Sequence, residues 1–208
     1  MRLIIVRHGE TDSNTSQILQ GHLNNELNER GKSQAFDLSF RLKNEKINHI
    51  YSSDLARARQ TAEPISHILK IPIFFRKELR ERNYGIYQGE LINKYEEDLR
   101  LSGIPRYIFR PENGETFIEM EARVSDFIRF LKITHKEETI LIVSHSGTNR
   151  ILIKLLLNKD FSELSTIGQS NASITILDLE TDGLVAPELL NCTNHLKSEN
   201  SIFGLLSE

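Results

Sequence analysis

Two histidines stand where chemistry can be done. His8 follows Arg7 at the end of the apolar run Leu3-Ile4-Ile5-Val6 and is followed by Gly9. His145 ends a second run, Ile140-Leu141-Ile142-Val143-Ser144, with Gly147 shortly after. An imidazole is a competent nucleophile when neutral, and an adjacent guanidinium can hold an anion. Continuous branched apolar runs without in/out alternation suit strands inside a parallel sheet covered on both faces. Ligands of open α/β sheets bind just beyond the carboxyl ends of such strands, so both imidazoles are expected to face one pocket. Gly9 is expected to permit a turn that a larger residue would resist.

A histidine taken singly is ordinarily a hydrogen-bonded core or surface residue. His8 and His145 escape that reading because each ends an apolar strand close to a glycine; His22, His49, His67, His135 and His195 do not.

The elements that must position these residues follow from periodicity. Residues 31–43 read as a helix with Ala35, Leu38 and Leu42 on one face, and 48–52 as a short strand. Ser52-Ser53-Asp54 offers N-cap chemistry to the next helix, whose inward residues are Leu55, Ala58, Ala62, Ile65 and Leu69. Pro64 should kink that helix or leave a hydrogen bond unmade. A brief strand is expected at 71–75. Periodicity then weakens, and the span of about 84–115 reads as an insertion over the pocket with one helix near 94–101. Thr116-x-x-Glu119 resembles a capping box, opening a helix with Phe117, Met120, Val124, Phe127, Ile128 and Leu131 inward. A strand at 140–144, a helix from 149 to about 157, and strands at 173–179 and 184–191 joined by a turn at 180–183 complete the chain. This alternation is that of an α/β protein, and no internal repeat or interdomain linker interrupts it, so a single domain spanning 1–208 is expected.

At 208 residues, with 38% hydrophobic and 26% charged residues, the composition is that of a globular protein able to build a core. A formal net charge of -3 gives no reason to expect nucleic acid as a partner. Cys192 is the only cysteine, which excludes an intramolecular disulfide and the usual zinc–cysteine arrangements. No run approaches the ~18 apolar residues of a membrane span, and the first apolar run is too short for a signal-peptide core. A cytoplasmic enzyme with no membrane partner is the expectation.

Arg7-His8-Gly9-Glu10-Thr11 with Asn14 resembles the signature of the histidine phosphatase (phosphoglycerate mutase-like) superfamily. The resemblance continues in order through Gln20-Gly21, Tyr51-Ser52-Ser53-Asp54-Leu55 with Arg57-Ala58, Leu79-Arg80-Glu81, Gly114-Glu115-Thr116, Val143-Ser144-His145 and Asn171-Ala172-Ser173-Ile174. It implies a three-layer α/β/α fold with a mostly parallel central sheet, and it admits a homodimer. It also implies that His8 is phosphorylated in a covalent intermediate, that Arg7, Asn14, Arg57 and His145 hold the phosphate, and that Glu81 serves as the acid. Gln20, Gly21 and His195 are implied as substrate contacts, His195 through the segment Asn191-Cys192-Thr193-Asn194-His195-Leu196, and Arg82 is a further candidate contact on its charge.

Phosphoryl transfer needs a nucleophile, fixed positive charge around the equatorial oxygens and a proton for the leaving group. Arginines near a histidine nucleophile both hold the phosphate and disfavour imidazolium. The competing reading of Glu81 is a glutamate salt-bridged between Arg80 and Arg82, and the sequence leaves both open. Arg80, Arg82, Arg106 and Arg110 would suit a carboxylate or second phosphate, or a solvated face. No metal is implied, since no H-E-x-x-H or comparable spacing is present, and the lack of a P-loop or dinucleotide fingerprint removes a nucleotide cofactor. The compact span after Tyr84 resembles small phosphatases acting on phosphoserine, α-ribazole phosphate or sugar phosphates. The alternatives are a cofactor-dependent phosphoglycerate mutase, a phosphatase of phosphohistidine or phosphotyrosine proteins and, from another class, a non-catalytic phospholigand-binding module.

Overall fold

Six strands form one sheet in the computed structural model, which describes residues 1–180 and 183–196. They are β1 (Arg2–Arg7), β2 (His49–Ser52), β3 (Ile73–Phe75), β4 (Thr139–Ser144), β5 (Ile174–Leu179) and β6 (Val185–Cys192), in spatial order β3-β2-β4-β1-β5-β6. The pairings of β1 with β4, β4 with β2 and β2 with β3 are parallel. Those of β1 with β5 and β5 with β6 are antiparallel. The expected turn at 180–183 falls partly outside the described residues, which exclude Thr181 and Asp182.

Alternate residues of the central strands enter two separate cores. Leu3, Ile5, Ile140 and Ile142 pack against Met120, Val124, Phe127 and Leu131 of α5 (Phe117–Thr134) and Ile151 and Leu152 of α6 (Ser146–Leu156). Ile4, Val6, Leu141 and Val143 pack against Leu38 and Leu42 of α2 (Glu29–Leu42) and Ala58, Ala62 and Ile65 of α3 (Ala56–Leu69). Burial of both faces explains why β1 and β4 show no in/out alternation, and the result is the expected three-layer α/β/α architecture. The short α1 (Asp12–Thr15) lies beyond β1, and α4 (Ile92–Ser102) belongs to the insertion. There Tyr87, Tyr95 and Leu99 pack with Leu19 in a small core of their own.

Helix starts differ from expectation in two informative places. Ser53 does not cap α3; the Ala56 amide is instead bonded by the Asn24 side chain at 2.8 Å. The last helix begins at Ser146 rather than 149, so its first turn directly follows His145. By contrast, the Thr116–Glu119 capping box forms in both directions, and all six expected inward residues of α5 are buried. Pro64 lies inside α3, which continues to Leu69. Among the described residues no helix is long and apolar enough to cross a membrane.

Candidate active site

Register brings the strand ends together. Arg7 of β1 lies opposite Ser144 of β4, and the His8 amide donates to the Ser144 carbonyl at 2.9 Å. The Ser53 amide, just past β2, donates to the Val143 carbonyl at 3.0 Å. Ser53, His145 and His8 therefore stand in a row along one edge of the sheet. The two imidazoles are buried with ring centroids 5.2 Å apart.

Each ring is held by one nitrogen. His8 Nδ1 donates to the Gly9 carbonyl at 2.6 Å, which leaves the Nε2 lone pair available. His145 Nε2 meets Ser53 Oγ at 2.8 Å, while its buried Nδ1 has no partner. Burial above all, then the charges of Arg57 and Arg7, hold His8 well below the usual histidine range. Burial and then Arg57 do the same for His145, with His8, Arg123 and Arg7 adding to the effect.

Arg57, in the first turn of α3, is 1% exposed and donates to the Leu23 and Gly21 carbonyls at 2.8 Å each. Arg7 donates to the Gln169 carbonyl. The Nε atoms of both arginines are buried without a partner. Burial lowers each guanidinium to about 10, so both remain charged at neutral pH. Asn14 Oδ1 accepts from the Thr11 amide and from Asn171 Nδ2, both at 3.1 Å, so the engaged end of this amide is its acceptor end.

Glu81 is not clamped by the side chains of its sequence neighbours. Arg80 turns away to pair with Asp54, and the carboxylate of Glu81 accepts instead from the Arg82 amide at 2.9 Å and the Gly147 amide at 3.0 Å. A side chain at 147 would not fit this arrangement, because a Cβ there would lie 2.4 Å from Glu81 Oε1. The backbone carbonyl of Glu81 is fixed by Arg123 Nη2 at 3.0 Å and His22 Nε2 at 2.8 Å.

Arg7, His8, Asn14, Gln20, Gly21, Arg57 and Glu81 all line one cavity of about 860 Å³. His145, expected to face the same pocket, is fully buried and is not among the lining residues, and neither are Arg82 and His195, expected as substrate contacts. Arg82 is fully buried and spends its donors on the Glu115 and Phe109 carbonyls and Tyr95 Oη, with its plane against the Phe117 ring at 4.4 Å. His195 bonds the Ala172 carbonyl at 3.1 Å. Both bind parts of the protein to one another. Gly21 lines the cavity, but its carbonyl is given to Arg57. Gly9 needs no unusual backbone angle; it is small because a Cβ would meet the Gly31 carbonyl oxygen at 2.6 Å, where the loop crosses the start of α2.

Several cavity and support residues carried no sequence signal of their own. Ser53 looked like a helix cap and instead holds His145. Arg150 lines the cavity from α6, and Asn171 ties Asn14 to the His8 and Gly9 carbonyls, each at 3.2 Å. In the sequence Gly147 stands out only for following His145, and Arg150 lies within the expected helix without a motif to single it out, whereas Asn171 lies in a recognised segment without an assigned task.

The geometry is that of a neutral imidazole, two buried guanidinium groups and a carboxylate lining one cavity. Residues 3–193 match the histidine phosphatase superfamily (branch 1). The chain is 32% identical over 205 residues to phosphoserine phosphatase 1 of Hydrogenobacter thermophilus, covering 94% of each chain. It is 30% identical over 199 residues to the adenosylcobalamin/alpha-ribazole phosphatase of Salmonella typhimurium, covering 92% of this chain and 96% of the relative. A mycobacterial glucosyl-3-phosphoglycerate phosphatase complexed with VO3 superposes with a TM-score of 0.84 at 28% identity, over 92% of this chain and 99% of that one.

Proposed function

The chain belongs to the histidine phosphatase superfamily, and from that premise we propose that it hydrolyses a small phosphorylated metabolite through a phosphohistidine on His8, without a metal. Phosphoserine is the first substrate to try, since a relative sharing 32% identity along 94% of this chain carries that activity in its name. A cytoplasmic setting is part of this reading, as is a single domain in which the insertion of about 84–115 influences substrate choice.

One observation carries the proposal: Arg7 and Arg57 line the same cavity as His8, whose Nε2 lone pair is available, and the buried Nε of each arginine and Nδ1 of His145 have no protein partner. A buried donor left unsatisfied costs about 1–3 kcal/mol, and a phosphoryl group supplies oxygens to meet such donors. In the first step Nε2 of His8 forms a bond to phosphorus as the ester oxygen departs. Arg7, Arg57, His145 and Asn14 hold the equatorial oxygens, and protonated Glu81 gives its proton to the leaving oxygen. In the second step the Glu81 carboxylate takes a proton from water, the resulting hydroxide bonds to phosphorus, and the N–P bond breaks to return neutral His8. Arg7 and Arg57 serve both steps by holding charge that grows on the transferred group.

The test is phosphate release from phosphoserine, 3-phosphoglycerate, α-ribazole phosphate, sugar phosphates and p-nitrophenyl phosphate, with chelator present and His8→Ala as control. Release by the wild type alone is expected, with at least a ~10⁴-fold loss in the variant. Absence of release, with 2-phosphoglycerate and 3-phosphoglycerate interconverting in the presence of 2,3-bisphosphoglycerate, would show a mutase instead.

A further inference from the structure

A second pair of histidines lies at the opposite end of the parallel strands and takes no part in the chemistry above. His49 opens β2, Glu138 immediately precedes β4, and His135 terminates α5. Their donor atoms all lie within 4.8 Å of one another. His49 Nε2 is 3.2 Å from Glu138 Oε1, and His135 Nδ1 contacts Glu138 Oε2. The two rings are 4.4 Å apart between centroids.

We infer that His49, His135 and Glu138 form a site for a divalent transition-metal ion of the zinc class, separate from the phosphate cavity. Two imidazole nitrogens and a carboxylate oxygen are a donor set suited to that class. Tetrahedral bonds of about 2.0–2.2 Å require donors roughly 3.4 Å apart, so small side-chain shifts within the present cluster bring the three into range. His135 is 4% exposed, and its remote Nε2 meets Tyr51 Oη at 2.9 Å. That contact leaves Nδ1 directed at the cluster, as an outer partner does for a ligating imidazole. His49 and Glu138 retain side-chain exposures of 32% and 38%, giving an ion a way in and a solvent position for its fourth ligand.

The surroundings fix the donors. The Asn48 amide donates to the Thr139 carbonyl, and the Thr139 amide to Asn48 Oδ1, both at 2.8 Å, so β2 and β4 are locked beside their donors. Tyr51 packs edge to face with both Phe127 and Phe130, with ring centroids 5.6 and 5.7 Å away, which backs the site with an aromatic wall. The neighbouring cation Arg76 lies over the Phe130 ring at 4.1 Å and has Glu78 at 3.9 Å as a counter-charge. An ion here joins the end of α5 to the starts of two strands. Its role is to staple these elements, and phosphate hydrolysis does not depend on it.

The chelator-stripped full chain would be titrated with zinc by calorimetry and with cobalt by visible absorption. Saturable binding of one ion per chain is expected, with cobalt bands of low-symmetry nitrogen and oxygen coordination and a rise in melting temperature. His49→Ala and Glu138→Gln, both at half-exposed positions, are each expected to weaken binding by about 100-fold or more while leaving phosphate release unchanged. Three results overturn the inference: no saturable binding, binding equal in wild type and both variants, or zinc that phosphate displaces and that inhibits release, which locates it at His8 and His145. In the first case the cluster is a plain hydrogen-bonded one, with Glu138 bridging two imidazoles.

Discussion

At the carboxyl ends of β1 and β4, His8 and His145 lie 5.2 Å apart among buried arginines; at the amino ends of β2 and β4, His49 and His135 lie 4.4 Å apart around a carboxylate. Both clusters pair imidazoles, and both use a hydroxyl to hold one ring: Ser53 for His145 and Tyr51 for His135. Their electrostatics are opposite. The first sets two buried guanidinium groups beside its imidazoles, so it is arranged for an anion; the second gathers lone pairs and a negative charge, so it is arranged for a cation. What an imidazole pair does is thus set by the charges that its neighbours bring. On the proposed readings, Arg7 and Arg57 suit one pair to phosphate, and Glu138 suits the other to a metal ion.

The comparison is broken most severely at the carboxyl end. Glu81→Gln keeps the shape of the cavity and removes the proton, so kcat is expected to fall about 10²–10⁴-fold with vanadate affinity largely retained. Gly147→Ala places a methyl group 2.4 Å from Glu81 Oε1. The flexible carboxylate can move aside, so the fold should persist, but displacement of the acid by an ångström is worth ~10²-fold in kcat. Steady-state kinetics beside urea denaturation would separate the two effects.

Two hydroxyl deletions sharpen the contrast. Ser53→Ala and Tyr51→Phe each leave a buried imidazole nitrogen without its partner, and each is expected to cost about 1–3 kcal/mol of stability. Only Ser53→Ala should also reduce kcat, through a loosened His145; equal kcat losses in both variants would dissolve the distinction between the ends.

The smallest effect is on pH dependence. His8 and His145 are held neutral by burial and by nearby arginines, against an ordinary value of 6.5. Above that pH both folded and unfolded chains carry neutral imidazoles, and these groups leave stability unchanged. As pH falls below it, the unfolded chain binds protons that the folded chain refuses, so stability declines until the depressed folded values are reached. Melting scans from neutral to mildly acid pH should show this loss, while kcat/KM should pass through pH 6.5 without an acid limb from His8.

Much of this was legible because it is local. Unbroken apolar runs identified β1 and β4 as strands buried on both faces, and the residue after each run had to emerge at the sheet's carboxyl edge. The capping box at Thr116 and the stripe of α5 likewise depend on residues a few positions apart. The motif series named His8, Arg7, Arg57, His145 and Glu81, all brought to one end of the sheet. Arg82 misled because its charge and its place beside Glu81 fit a substrate contact equally well. Only the packing of Tyr84, Tyr95 and Phe117 around its guanidinium revealed a structural cation.

By itself, then, the sequence determined the strand ends, the family and the residue types available for phosphoryl transfer, since backbone period and side-chain chemistry are properties of short segments. Tertiary structure alone decided the partners. Ser53 reaches His145 across 92 positions, Gly147 reaches Glu81 across 66, and His49 meets Glu138 across 89. Such pairs depend on which strands lie side by side and in what register, and hydrogen bonds and ion coordination act over a few ångströms of space, whatever the separation along the chain.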